Sequence, residues 1–268
     1  MTESPPAAVG PLLRQWRQRR RLSQLDLACE AEVSSRHLSF LETGRARPSR
    51  EMVLLLAERL EVPLRERNAL LIAAGFAPVY VERALDDPAL AGARRAVDLV
   101  LSGHEPYPAL AVDRHWTMVA ANRAVAPLLG GVDPPLLAPP VNVLRLSLHP
   151  AGIAPRIVNL AQWRAHVVGR LRRHVAATAD AALGALLDEL RAYPVATDDG
   201  HPPPDLDGPD TVVVPLRLQT PRGVLSFVST TTIFGTPVEV TLSELAIESF
   251  FPADAATAQQ LLSLPFLA

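Results

Sequence analysis

Residues 23–49, SQLDLACEAEVSSRHLSFLETGRARPS, constrain this chain more tightly than any other stretch. Ser23 is a favoured N-cap type, and Asp26 stands three residues on, near the place of a capping-box acid. Leu25, Leu27, Ala28 and Ala31 then follow at helical spacing. Glu32 to Ser34 interrupts the pattern, and Ser34 is placed to cap a second helix carrying Leu38 and Leu41. Gly44 stops that helix, and Pro48-Ser49 opens another. Two short helices joined by a turn of about three or four residues form a helix-turn-helix outline.

The flanks extend the outline into a five-helix unit. A helix over 9–20 places Leu12, Leu13 and Trp16 on one face, with Arg14, Arg17 and Arg19 off it. Residues 49–60 (Met52, Leu55, Leu56, Ala57, Leu60) and 63–74 (Leu64, Leu70, Leu71, Ala74) supply two more helices. Residues 1–8 are expected to be a disordered leader, and Gly75-Phe76-Ala77-Pro78 closes a unit spanning 9–75. Residues 76–104, with Leu90, Ala93, Val97, Val100 and Leu101 in helical register, make a connector helix ahead of a second domain over 105–268.

Charge separates the two ends. Residues 9–50 hold nine arginines against four acids, whereas 180–268 hold three arginines against twelve acids. A basic front on an acidic body is the footprint of nucleic-acid binding confined to one domain.

Ser23-Gln24, Leu27-Ala28, Val33-Ser34, Leu38, Leu41-Glu42, Gly44-Arg45 and Pro48-Ser49 resemble the Xre/Cro-type helix-turn-helix repressors over roughly residues 10–73. The resemblance implies double-stranded DNA as a partner. It also implies an ion pair between Arg17 and Glu42 that orients Arg17 near a phosphate, and a phosphate contact for Gln24 at a helix N-terminus. Outward positions on the second helix of the motif are Ser34, Ser35, Arg36, His37, Ser39 and Phe40. Arginine bonds the O6 and N7 of guanine together, so Arg36 is the first candidate for base readout. Arg45 and Arg47, beyond the helix, suit the DNA backbone. One recognition helix spans only a few base pairs, so a homodimer on paired half-sites is expected.

The second half changes character. Ala109–Val112 and Trp116–Val119 read as strands around Asp113-Arg114-His115, followed by Asn122-Arg123-Ala124, a short helix and an irregular Pro-rich loop over 130–142. The longest helix is predicted over about 155–178. Thr211–Leu218 and Val224–Thr232 suggest a hairpin, with another short strand at Val238–Thr241. The whole is an α+β chain: an all-α helix-turn-helix domain and then a PAS-like α+β domain, an architecture commonly used as a small-molecule pocket.

Asn142-Val143-Leu144-Arg145 with His149-Pro150, Thr231–Pro237 and Glu248–Asp254 resemble the ligand-binding domain of MmyB-like transcription regulators. That resemblance implies an acyl ligand, a fatty acid or an acyl thioester. The long helix independently carries Arg156, Arg164, Arg170, Arg172 and Arg173 and no acid. Asn159, Trp163, His166 and Arg170 share one stripe of it, and Ile157, Leu160, Val168, Leu171 and Val175 another. A carboxylate head suits Arg170 or Arg145, with a tail among Val119, Leu225 and Phe227. Asn122, His149 and Phe234 complete the candidate ligand residues. A second reading stays open, in which this half docks another protein through the basic helix and holds no small molecule.

Other functions find little support. There is no G-x-S-x-G, H-E-x-x-H or Gly-rich phosphate loop, and the seven histidines lack metal-ligand spacing, so neither catalysis nor a cofactor is expected. Cys29 is the single cysteine, with no disulfide possible within the chain, and is expected to be a small buried residue. The N-terminus lacks the charge and apolar run of a signal peptide, and no apolar run approaches the roughly 20 residues of a membrane span. A bacterial, cytoplasmic, nucleoid-associated protein is the expectation.

Overall fold

A computed structural model describes residues 8–194, 214–234 and 239–263. All of the expected leader but Ala8 therefore lies outside the described residues, as do the start of the expected hairpin and Val238. The chain divides into two compact units. One holds residues 1–83, 176–178 and 237–243, and the other 84–175, 179–236 and 244–268.

The first unit contains α1 (Val9–Arg19), α2 (Gln24–Glu30), α3 (Ser35–Glu42), α4 (Arg50–Arg59) and α5 (Leu64–Ala73). Local chemistry fixes the starts. The Ser23 hydroxyl accepts from the Asp26 amide at 3.1 Å while the Asp26 carboxylate accepts from the Ser23 amide at 2.8 Å, a complete capping box. Ser34 and Ser49 cap α3 and α4 in the same manner, accepting from the amides of His37 and Met52. The ends are less local. Gly44 and Gly75 take positive φ, but so do Arg21 (58°), Glu32 (54°) and Glu61 (47°), where a side chain makes the left-handed turn costly.

Leu13, Leu27, Leu38, Leu41, Leu56 and Leu71 are wholly buried and hold the five helices on one core. Gly10 is needed where α1 meets the last turn of α3, because a Cβ there would run into the carbonyl oxygens of Leu41 and Glu42. Cys29 corrects the expectation of burial: it is exposed, since the rotation that turns Leu27 and Ala28 inward carries the next residue to the outside.

The second unit opens with α6 (Ala91–Gly103), whose Val97 and Leu101 are buried, and continues through β1 (Ala109–Val112) and β2 (Met118–Ala121). Then come α7 (Pro134–Leu137), α8 (Val143–Leu148), α9 (Leu160–Thr178), α10 (Ala181–Ala192), β3 (Leu216–Thr220), β4 (Gly223–Ile233), β5 (Ala246–Pro252) and α12 (Ala255–Leu262), while α11 (Val240–Ser243), between β4 and β5 in sequence, falls in the first unit. The strands form one antiparallel sheet in the order β2-β1-β5-β4-β3. The chain is thus α+β, with a helical front and a sheet-and-helix body.

Several expectations change. The 130–142 loop is not outside the core: Val132 and Val141 are buried against Leu146, and α7 lies between them. The long helix begins at Leu160, because Asn159 is tied to β3 instead. Its amide Nδ2 donates to the Pro215 carbonyl at 2.8 Å, and its Oδ1 accepts from the Arg217 amide at 3.2 Å. In place of a strand over 238–241, Glu239 makes one parallel bridge to Val81 and the chain turns into α11. There the Val240 amide donates to the Val81 carbonyl at 2.9 Å, Arg83 pairs with buried Glu239 at 3.1 Å, and the Thr241 hydroxyl donates to the Arg83 carbonyl. These residues belong to the first unit, although the sequence delivers them from between β4 and β5.

Candidate functional site

The helix-turn-helix presents α3 outward by burying Leu38 and Leu41 beneath it. Ser34, Ser35, Arg36, Arg45 and Arg47 are exposed, and His37, Ser39 and Phe40 half-exposed. The Arg36 guanidinium lies 5.4 Å from the centre of the Phe40 ring, a cation–π contact one turn along the helix. That contact sets the guanidinium over the ring of its own helix.

Arg17 stands apart from this exposed set. It is buried, and its guanidinium makes a bidentate pair with Glu42 at 2.6 and 2.8 Å while also donating to the Leu22 carbonyl. Gln24 donates to the same carboxylate at 2.8 Å. Burial works to raise the Glu42 pKa, but the hydrogen bonds from Arg17 and Gln24 outweigh it and hold the carboxyl below the usual range. The same hydrogen bond pushes Arg17 above its ordinary value. Arg17 therefore works inside the unit, fixing α1 to the end of α3, and the Arg17–Glu42 pair stands as the resemblance implied.

In the second unit a cavity of about 110 Å³ opens between α8, α9 and the sheet. Its wall is mostly apolar, with Leu110, Met118, Val125, Leu146, Ile153 and Phe250 among its residues. Three polar side chains interrupt it: Ser147, Arg170 and Glu248. Ser147 is occupied by the Trp163 indole, which donates to its hydroxyl at 2.8 Å. Arg170 donates to Glu248 at 2.7 and 3.2 Å and to the Thr231 hydroxyl at 3.0 Å, and that hydroxyl itself donates to Glu248.

Trp116 also lines the cavity. It sits in the β1–β2 turn at φ 64°, where the Asp113 carboxylate accepts from the amides of His115 and Thr117, both at 2.8 Å. The Arg170 guanidinium lies 4.9 Å from the centre of its ring.

Of the nine side chains expected around the ligand, the cavity brings together Trp163 and Arg170. The other seven are placed elsewhere for identifiable reasons. Asn122 is buried and bridges α6 to β1, donating to the carbonyls of Leu101 and Tyr107 and accepting from the Ala109 amide. Arg145 makes a bidentate pair with Glu189 at 2.7 and 2.8 Å. His149 accepts from the Ala151 amide and meets Tyr193 edge-on, and Asn159 ties α9 to β3. His166 stacks on Trp163 without lining the cavity itself, its pKa lowered by burial and by Arg170 and Arg173. Phe227 belongs to the sheet core, and Phe234 packs with Val97 and Leu101. Of the expected tail contacts, Leu225 is in that core and Val119 is exposed. A free arginine for a carboxylate head is not what the geometry offers: Arg145 and Arg170 are both already neutralised by an acid.

Trp116 and Glu248 escaped sequence reasoning. Glu248 had two signals, its place at the head of the Glu248–Asp254 stretch that carries the resemblance and its position as a lone acid among Ala246, Ile247, Phe250 and Phe251. Trp116 had none, since its role depends on a turn conformation that tryptophan rarely adopts.

Among the described residues no helix is long and apolar enough to cross a membrane, and no cluster of three or more His, Cys, Asp or Glu is placed to hold a metal ion.

An outward helix over a capped, basic five-helix scaffold, joined to a body with an apolar cavity, defines a DNA-binding transcription regulator with a ligand-binding domain. Residues 8–70 match the helix-turn-helix domain family, and residues 93–264 match the MmyB-like transcription regulator ligand binding domain. The chain belongs to the MmyB-like transcription regulators. A search of curated proteins finds no match to it.

Proposed function

We propose that the protein is a homodimeric, sequence-specific regulator acting in the bacterial cytoplasm, which reads DNA through α3 and responds to a small acyl compound in the cavity of its PAS-like body. The observation that carries the reading is the pairing of an exposed, pre-stacked Arg36 with an apolar cavity crossed by a few polar groups. Ser35, Arg36 and His37 approach base edges, Gln24 and the loop arginines Arg45 and Arg47 approach phosphates, and two copies engage an inverted repeat.

Arg36→Ala is expected to cost roughly 1–3 kcal/mol at the cognate site and to relax the preference at one base pair. Arg47→Ala should weaken cognate and random DNA alike and flatten the salt dependence. Competition binding against single-base variants measures both. Loss of affinity without loss of preference in both variants would remove Arg36 from the reading role.

A genomic footprint of the tagged protein at two salt concentrations tests the whole reading. Discrete peaks sharing an inverted repeat are expected, with two protomers per site by sedimentation. Diffuse, salt-sensitive binding, or one protomer per site, would contradict it. Native mass spectrometry of protein taken directly from cells tests the ligand, with an added acyl mass as the expected result.

A further inference from the structure

The charged groups of the cavity wall sit on the elements that lead into the first unit. Arg170 lies on α9, and its partners Thr231 and Glu248 are paired residues of β4 and β5. Two rungs further along, Ile233 pairs with Ala246, and there the chain leaves the sheet. The excursion between them contains residues 237–243, which belong to the first unit, as do residues 176–178 at the end of α9. Within that unit the excursion makes a joint that is ordered but not fully satisfied. The Val240 amide donates to the Val81 carbonyl at 2.9 Å, and buried Glu239 accepts from Arg83 through one oxygen at 3.1 Å. Its other oxygen is buried with no hydrogen-bond partner among the described residues. A buried acceptor left unmet is costly, which keeps this joint nearer to local opening than the cores around it. Asn68 ties the neighbouring segment to α5, donating to the Tyr80 carbonyl at 2.6 Å and accepting from the amides of Val79 and Tyr80. Through Leu70 and Leu71, α5 shares one core with Leu13 of α1 and Leu38 of α3.

We infer that occupancy of the cavity is relayed to the helical unit through the Arg170–Thr231–Glu248 group and the joint at Glu239–Ser243. A ligand oxygen that accepts from Arg170 competes with Thr231 and Glu248 and loosens the last rungs of the β4–β5 pairing. The excursion tethered by those rungs then leaves Val81 more readily. This rests on the reading of the cavity as a ligand site and adds the route by which the ligand acts. A ligand shifts an equilibrium only by what it gains in one state over the other, and the competition for Arg170 supplies that difference.

The test is amide hydrogen exchange of the full-length protein, read at Tyr80, Val240 and Ser243, whose amides donate to Asn68, Val81 and Glu239. Sodium dodecanoate below its micellar range is the probe, and calorimetry measures its binding separately. Glu248→Gln keeps the shape and removes the charge that holds Arg170. Without any probe it is expected to speed exchange at the three amides about tenfold, the size of an ordinary coupling between sites. Bound dodecanoate should do the same in the wild type and add little in Glu248→Gln. Thr241→Val, which removes the hydroxyl bonded to the Arg83 carbonyl, should loosen the joint directly. It should also tighten dodecanoate binding by about threefold or more, because coupling between sites is reciprocal. Phe227→Ala softens the same sheet away from Arg170 and should leave the three amides unchanged. Equal acceleration by Phe227→Ala overturns the inference, as does bound dodecanoate or folded Glu248→Gln that leaves them at the wild-type rate. Should Glu248→Gln fail to fold, Thr231→Val takes its place, since it removes the hydroxyl shared by Arg170 and Glu248. If dodecanoate does not bind, the acyl-ligand reading fails for this cavity, and the variants still decide the relay.

Discussion

Replacing Glu42 by alanine is expected to destabilise the helical unit by about 3–5 kcal/mol, because it strands the Arg17 charge in a buried site. The Arg17 and Glu42 side chains are 10% and 1% exposed, and two guanidinium nitrogens of Arg17 donate to the two oxygens of that one carboxylate. Gln24 loses its acceptor in the same step. The double replacement Arg17→Met with Glu42→Leu should cost much less, since it removes both charges and refills the volume. Urea unfolding gives the size of the effect, and hydrogen exchange over α1–α5 locates it. The pair also makes an acid signature. Glu42 has a depressed pKa in the folded state, so its contribution is present in full above the ordinary carboxyl pKa and fades as pH falls through the lower folded value. The wild type should therefore lose part of its advantage over Glu42→Ala in acid. A gap that stays constant down to low pH would mean that the pair contributes little.

Phe227→Ala should cost a similar amount, about 3–5 kcal/mol, in the sheet-and-helix body. Phe227 is 1% exposed on β4, pairs across the sheet with Leu216 and Pro252, and meets the ring of Phe250 edge-on at 6.2 Å. Phe250 in turn lines the cavity. Removing the ring leaves a void that close-packed neighbours only partly fill. The expected readout is a lower urea midpoint with reduced exchange protection in β3, β4 and β5. Phe227→Leu should recover most of the loss. A stability change below about 1 kcal/mol for the alanine variant would show that the sheet relaxes around the gap.

The helical unit was legible because its determinants are local. Ser23, Ser34 and Ser49 announce helix starts within three residues of the amides they satisfy, and the apolar positions recur at helical spacing. The breaks at these helix ends were read, over 9–20, at Glu32 to Ser34 and over 49–60, but the left-handed turns at Arg21, Glu32 and Glu61 were not, since nothing in an arginine or glutamate advertises one. In the body, β5 was missed as a strand: its partners β1 and β4 come from far away in sequence, and its Glu248 breaks the apolar pattern. The long-helix periodicity put Trp163 and Arg170 on one stripe, and both reach the cavity. It could not tell which arginine is already paired. Arg145 finds Glu189 44 residues on and Arg170 finds Glu248 78 residues on. Charge composition alone suggests free cations, whereas tertiary pairing decides which charges a ligand meets.

The short passage that runs from Glu239 through α11 has a consequence for dissection and recombination of this protein. A contiguous fragment ending near Arg83 contains all five front helices yet omits the strand-like partner of Val81, the counter-ion of Arg83 and the buried Val240. Linear cloning boundaries and structural boundaries do not coincide here. A chimera built by exchanging everything after residue 83 would inherit a foreign version of that inlay. Donor bodies would then be interchangeable only where the few residues between β4 and β5 travel with the front to which they were fitted.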